Sequence, residues 1–426
     1  MIPSVTDTAA TTGGARPLLD QLIADWNSLT IELDGRTVLL PAQPRADDVV
    51  FNVVLPLHET TPETVAPARL WAASLLRCRH GSTTLQERIE ELGGELTMRI
   101  TAGSVVLTGS CIHSSLTAAL DAVRRATHGP GPGPERLRAT ARELADQQLL
   151  YWDNIEARAQ SLARRAAFGL AAPLPAPSLH QELTGLTPCD VEDYRSRRTD
   201  PGWLIVDAAD APRWPEPDAP ESNGLTCFQP GPPAEQVAPI IAAQPGRGIA
   251  ALAFAGVLHP DVAEHCETWL ASTVLGGYFA SRLWERLRAR HSRAYSPRSM
   301  LEHSAAGTNV LVTATTTSED LPATVRAVRE ELTRLCRHEP DGPELHAAKS
   351  YLLGSLLRSA SGGRRLSALV ATWLARGVHP HQLLTSAATI RDVTPDDVVR
   401  AARDTLAPSV MSLAVCGACL DESPQL

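Results

Sequence analysis

Two short patterns in the 426-residue chain place metal- or redox-competent side chains close together. Cys416-Gly-Ala-Cys419 has the spacing of a redox pair or of half a zinc knuckle. No second Cys-x-x-Cys and no neighbouring Cys/His pair completes four ligands, so it reads as a strand end. His259-Pro-Asp-Val-Ala-Glu-His265 superficially has the look of a zinc helix, but its spacing puts the two imidazoles on different helix faces, and it reads as a solvated segment. The run from Gly129 to Pro134, GPGPGP, alternates prolines that remove the N–H donors a phosphate loop needs, which leaves a connector. The other cysteines, Cys78, Cys111, Cys189, Cys227, Cys266 and Cys336, are scattered as expected of reduced, buried thiols.

Composition narrows the classes further. Thirty-nine basic against 48 acidic residues give a net charge of −9 with no long basic stripe, which argues against nucleic acid as a partner. Mean hydropathy is −0.10, and no window approaches the roughly 18 to 20 apolar residues of a membrane span. The opening MIPSVTDTAATTGGARP lacks a basic start and an apolar core, so a cytoplasmic location is expected.

The elements that must position any site fall into two halves of α+β character. Between Ala208 and Pro233 the chain holds seven prolines and no periodic apolar face, which predicts a semi-extended linker. Upstream, the patterns predict a hairpin over 30–40, a buried strand over 49–57, two short helices, a second hairpin over 96–112 and a helix over 115–126. A long helical run over 135–168, broken near Asp153, and a strand over 203–207 follow. Downstream, strands are expected over 249–257, 309–316 and 412–415, with helices over 262–275, 281–290, 321–338, 343–357, 364–375 and 395–406. Leu183-Thr-Gly-Leu-Thr-Pro-Cys-Asp-Val191 is echoed by Ile390-Arg-Asp-Val-Thr-Pro-Asp-Asp-Val398, each a Thr-Pro helix entry shortly before its half's last strand. That placement argues for a duplicated unit.

The whole pattern resembles the pitrilysin/insulinase family of zinc peptidases. In the second half the resemblance rests on VLGGYFASRLWERLRARHSRAYS, Val274 to Ser296, and on the closing ARGVHPHQLLTSAATIRDVTPDDVVRAARDTLAPSVMSLAVCG. In the first half it rests on LDGRTVLL and RIEELGGELTMRITAGSVVLTG. It implies two pitrilysin-like domains, 19–207 and 234–426, with an extended N-terminus over 1–18 and the linker over 208–233. Each would be an antiparallel-rich sheet packed with helices, and together they would form half of a clamshell chamber.

The family's zinc helix carries H-x-x-E-H, two imidazoles on one helix face with a glutamate that activates the zinc-bound water. In LWAASLLRCRHGS the corresponding positions are Ala72, Leu75 and Leu76, none of which can bind zinc. The resemblance assigns the third ligand's place to Glu143. In the second half it matches the family's substrate-contacting Arg and Tyr to Arg288 and Tyr295. A guanidinium and a phenol both donate hydrogen bonds, which suits an oxyanion forming on a peptide carbonyl. Taken alone, Arg288 reads as one exposed arginine among several and Tyr295 as a half-buried strand residue. Gly276-Gly277 before them and Ala294-Tyr295-Ser296 around Tyr295 carry the functional assignment. Arg282 is the alternative substrate contact, and the strand at Thr97-Met98 the candidate peptide-binding edge. The resemblance thus implies a non-zinc subunit, inactive alone. A homologous H-x-x-E-H partner would supply the zinc, and the heterodimer would cleave peptides, leader-type peptides among them. The rival class is an inert scaffold or peptide-binding subunit.

Overall fold

The computed structural model describes residues 24, 32–34, 36–40, 48–57, 62–80, 82–101, 103–169, 176–198, 200, 202–208, 214–215, 240–242, 248–258, 266–289, 294–304, 307–376 and 380–417. The segment 1–18, His259, His265, Cys227, Cys419 and all of the linker except Ala208, Trp214 and Pro215 lie outside the described residues.

The first half opens with the hairpin β1 (Glu32–Asp34) and β2 (Thr37–Leu39), then β3 (Asp48–Pro56). Helix α1 (Pro62–Ser74) tightens into a 3-10 turn at Leu75–Arg77 and leads to a small ribbon of β4 (Arg79–His80) and β5 (Thr83–Thr84). Helix α2 (Leu85–Glu91) starts on a capping box at Thr84 and precedes the hairpin β6 (Glu95–Thr101) and β7 (Ser104–Ile112). Helices α3 (Leu116–His128), α4 (Pro134–Asp153), α5 (Ile155–Phe168), α6 (Ala176–Gly185) and α7 (Pro188–Ser196) lead to β8 (Trp203–Val206). Asn154 caps α5 through its side chain and separates it from α4, close to the break expected at Asp153.

The second half contains β9 (Ile240–Ala242), β10 (Ile249–Val257) and α8 (Cys266–Ser272), which widens at Thr273–Gly277. The short α9 (Arg282–Trp284) continues as a wider turn to Ala289 before β11 (Ala294–Ser304) and β12 (Gly307–Thr317). Helices α10 (Leu321–Arg337), α11 (Gly342–Ala360), α12 (Gly363–Leu374), α13 (Pro380–Asp392) and α14 (Pro395–Thr405) precede β13 (Ser412–Cys416).

The two large sheets share one plan. The first runs β1-β2-β8-β3-β7-β6 and the second β11-β12-β10-β13-β9, so β2, β8, β3, β7 and β6 match β9, β13, β10, β12 and β11. In each, the one parallel pairing joins the corresponding strands, β2 with β8 and β9 with β13. The two Thr-Pro entries cap α7 and α14 with capping boxes at Thr187 and Thr394.

The halves also exchange helices. Ala159, Ala163 and Ala167 of α5 pack on Ala251, Ala253 and Ala255 of β10 in the other half's sheet, small residues on both sides permitting a close approach. Reciprocally, α12 lies on β3 and β8, where Asn52 Nδ2 donates to Ser367 Oγ across 315 residues of chain. Val38, Leu40, Val54, Val106, Trp203 and Ile205 of the first sheet belong to one core with Leu252, Phe254 and the second-half helices.

Several expectations need correction. The helix over 262–275 is described only from Cys266 and widens at Thr273, and that over 281–290 is regular for a single turn. The sequence reading did not anticipate β9, α6 or α13. It also missed the length of β11, whose AYSPRSMLEHS holds a proline and few apolar residues and so lacks a strand signature. At Trp214 the expected linker packs instead, the residue buried and its backbone N–H donating to Thr37 Oγ1 at 3.0 Å.

Candidate functional site

The degenerate zinc positions separate at the end of α1. In a regular helix Ala72, Leu75 and Leu76 would share a face. Here they divide between core and groove: Ala72 and Leu75 are both 0% exposed in the first-half core, while Leu76, packed partly against that core, lines an open groove of about 520 Å³ on the helix face of Arg69, Ala73 and Arg77, together with Met98 and Glu143. Neither buried residue carries a donor atom, and among the described residues no three His, Cys, Asp or Glu converge as a metal site. The donor set fits no zinc ion. Instead, Glu143 forms an ion pair with Arg77, whose guanidinium also donates to Thr140 Oγ1 at 2.8 Å. A protein cation thus sits against the carboxylate that the resemblance places in a ligand position.

Thr97 and Met98 lie on β6, an edge strand that pairs with β7 alone among the described strands. Thr97 is exposed and donates to Thr108 O at 3.3 Å; Met98 is half-buried in the groove.

The second-half residues are assembled around the Gly-Gly turn. A Cβ on Gly276 would stand 2.6 Å from the Ser299 backbone nitrogen, so only glycine lets the turn press onto β11, the strand that carries Tyr295. A Cβ on Gly277 would meet Thr273 at 3.1 Å. Arg288 is exposed and stacks over Trp284, 4.6 Å from the ring centroid, and Trp284 in turn meets Phe279 edge-on at 4.4 Å. Tyr295 is 67% exposed rather than half-buried. It pairs with Thr315, and the next pairing, Arg298 with Thr313, spans one extra residue, a bulge in which Ser296 takes φ 49°. The aromatic support of Arg288 went unread, although Trp284 stands one helical turn before it.

Arg282 is engaged elsewhere. It is mostly buried and holds Glu344 through two bonds, Nε–Oε1 at 2.7 Å and Nη2–Oε2 at 2.8 Å, which pins α9 to α11. Cys416 lies fully buried beside Ala414 and Ala159, with burial pushing its thiol up to about 11, which disfavours the thiolate a nucleophile needs.

Arg288 and Tyr295 do not line the groove by Leu76. A second, adjoining groove of about 580 Å³ brings the far end of β11, Met300 to His303, against Ile100 and Thr101 of β6. From Tyr295 to Met300 an extended strand covers roughly 17 Å.

Residues 221–352, which include Arg288 and Tyr295, match the family model described as the inactive domain of M16 peptidases. No curated protein matches the sequence. Among solved structures, the M16 inactive-domain protein of Pseudomonas fluorescens is similar with a TM-score of 0.73 at 15% identity, over 93% of this chain and 100% of that one. A protease from Helicobacter pylori gives 0.74 at 13%, over 91% and 99%. A chain of complex III2 from Candida albicans gives 0.69 at 12%, over 92% and 96%. At these identities the likeness to the structures is one of fold.

Proposed function

We propose that this chain serves as the non-zinc subunit of a two-chain peptidase, a reading supported by the inactive-domain match over residues 221–352, the stretch that carries Arg288 and Tyr295, and by the M16-like fold of its structural neighbours. The observation that carries the reading is the pairing of two facts. The zinc positions Ala72, Leu75 and Leu76 offer no metal donor, while the second half holds a guanidinium and a phenol out into solvent on a braced module.

In this reading a homologous subunit with H-x-x-E-H closes against this chain as the other half of a clamshell and brings the zinc and its activated water. Arg288 and Tyr295 donate hydrogen bonds to the peptide carbonyl as negative charge builds on its oxygen. The stack on Trp284 limits the rotamers of Arg288, and the bulge aims Tyr295 away from its own sheet. Thr97 and Met98 offer the edge of β6 to an extended peptide, and Gly276 and Gly277 seat the turn behind β11. Flexible chains such as leader peptides suit a closed chamber. We place the complex in the cytoplasm, supported by six free cysteines among the described residues.

The test is co-expression with an H-x-x-E-H homologue and comparison of peptide cleavage by the wild-type complex with Tyr295→Phe and Arg288→Ala. Loss of one such donor costs about 100-fold to 1000-fold in rate. Unchanged cleavage by both variants would favour a second reading, a scaffold or binding subunit, which the likeness to a complex III2 chain supports.

A further inference from the structure

Helix α5 turns two adjacent stripes toward the second half's sheet. Ala159, Ala163 and Ala167 press onto β10, and beside them Glu156, Gln160 and Arg164, each one helical turn from the next, form a polar stripe. On β11, Arg298 and Glu302 share one face of the strand, with Met300 between them against the alanine cluster. Arg298 forms an ion pair with Glu156 through Nη2, and Arg164 holds Glu302 through two bonds, Nε–Oε2 at 2.8 Å and Nη2–Oε1 at 2.9 Å. Gln160 joins the two rungs: its Nε2 donates to Glu156 Oε1 at 3.1 Å, and its Oε1 accepts from Arg164 Nη2 at 3.3 Å. Side chains from both halves of the molecule thus make one continuous polar ladder.

The ladder fixes register. From Glu156 to Arg164 the helix rises about 12 Å, and from Arg298 to Glu302 the strand covers about 13 Å, so both rungs close together. A slip of β11 by four residues would set like charges side by side. Arg298 is also the first residue to pair after the bulge, with Thr313, to whose Oγ1 its Nε donates at 3.4 Å, and Tyr295 is the last to pair before it. The anchor and the exposed phenol therefore bracket the left-handed Ser296. The side chains of Arg298 and Glu156 are 48% and 28% exposed, and an ion pair this open to water adds little stability. What it supplies is geometry.

We propose that Glu156, Gln160 and Arg164 of the first half are positioning residues for Tyr295 of the second, holding the downstream end of the bulge so that the phenol leaves its sheet at one fixed angle. This rests on the reading that Tyr295 meets the substrate, and it adds how a first-half helix governs that contact. The ladder acts indirectly, through Arg298 and the strand. A hydrogen-bond donor displaced by about 1 Å from its place in a transition state costs up to about 100-fold in rate, so a loosened strand end reaches the chemistry without unfolding anything.

Two measurements test this. In the complex with an H-x-x-E-H homologue, Glu156→Ala and Arg298→Ala should each lower kcat about ten-fold with KM and the unfolding midpoint unchanged. The double variant should lose no more than either single one, and Glu156→Gln, which keeps the acceptor oxygen, should recover most of the loss. In the full chain alone, a fluorotyrosine placed at position 295 should give one sharp fluorine resonance that shifts or broadens in the same two alanine variants. Unchanged kcat in both variants while Tyr295→Phe is impaired, losses that multiply in the double variant, or an unaltered resonance overturns the positioning role. A kcat loss that tracks a lowered unfolding midpoint also overturns it, because that reports packing alone. Full activity of Tyr295→Phe overturns the two-chain reading instead, and the fluorine resonance then decides the positioning by itself.

Discussion

The exposure of Tyr295 depends on the residue beside it. Ser296 occupies left-handed backbone space to close the bulge, a conformation that a β-branched side chain adopts only at a cost of about 1 to 3 kcal/mol. Ser296→Val should therefore lower stability by that amount in urea unfolding, and Ser296→Gly should not. The zinc positions make a second case. Restoring the motif as Ala72→His, Leu75→Glu and Leu76→His should not restore a metal site, because two of the three side chains point into a closed core. Burying a carboxylate and an imidazole there should cost more than about 3 kcal/mol, and the purified variant should hold no stoichiometric zinc. That Ala72, Leu75 and Leu76 carry no metal-donor atom is a matter of the letters themselves. Their split between core and groove is not, since the neighbours Ala72, Ala73, Leu75 and Leu76 are all small or apolar and do not say which side of the helix meets the core.

At the scale of elements, the repeated Thr-Pro helix entries did announce themselves. The Thr187 and Thr394 hydroxyls donate to Asp190 and Asp397 at 2.7 and 2.6 Å and their backbone N–H groups donate to the same carboxyls, both at 2.8 Å, and those bonds, the hydroxyl ones first, hold the two carboxyls below the ordinary 3.8. A depressed folded-state pKa contributes stability that is complete above the unfolded value and fades as pH falls through the lowered one. Thr394→Ala should cost about 1 kcal/mol at pH 6 by urea unfolding, and the gap from wild type should narrow below about pH 4. Strand β11 shows the opposite case. Its polar, proline-bearing sequence hides an edge strand that tertiary pairing with β12 imposes, and with it the groove wall from Met300 to His303. The helix exchange was equally hidden, because an alanine-rich α5 reads the same whichever sheet it covers. Asn52→Ala removes the cross-half bond to Ser367 and the acceptor for Thr108 Oγ1, 2.6 Å away. Leaving buried partners unmet there should cost about 1 to 3 kcal/mol.

For the whole molecule, two sheets of one plan and a shared core mean that the halves stabilise each other. A chain cut to residues 1–207 would expose Val38, Leu40, Val54, Trp203 and Ile205 to water, and should bind a hydrophobic dye and unfold without a cooperative transition. In the intact chain Arg288 and Tyr295 stand on the second half, and among the described residues no three His, Cys, Asp or Glu converge as a metal site. The most direct measurement of this account is peptide cleavage by the complex with an H-x-x-E-H homologue, comparing wild type with Tyr295→Phe at equal assembly. The account predicts a loss of about 100-fold with zinc retained in the partner. Full activity in that variant, or cleavage by this chain alone with stoichiometric zinc bound, would contradict it.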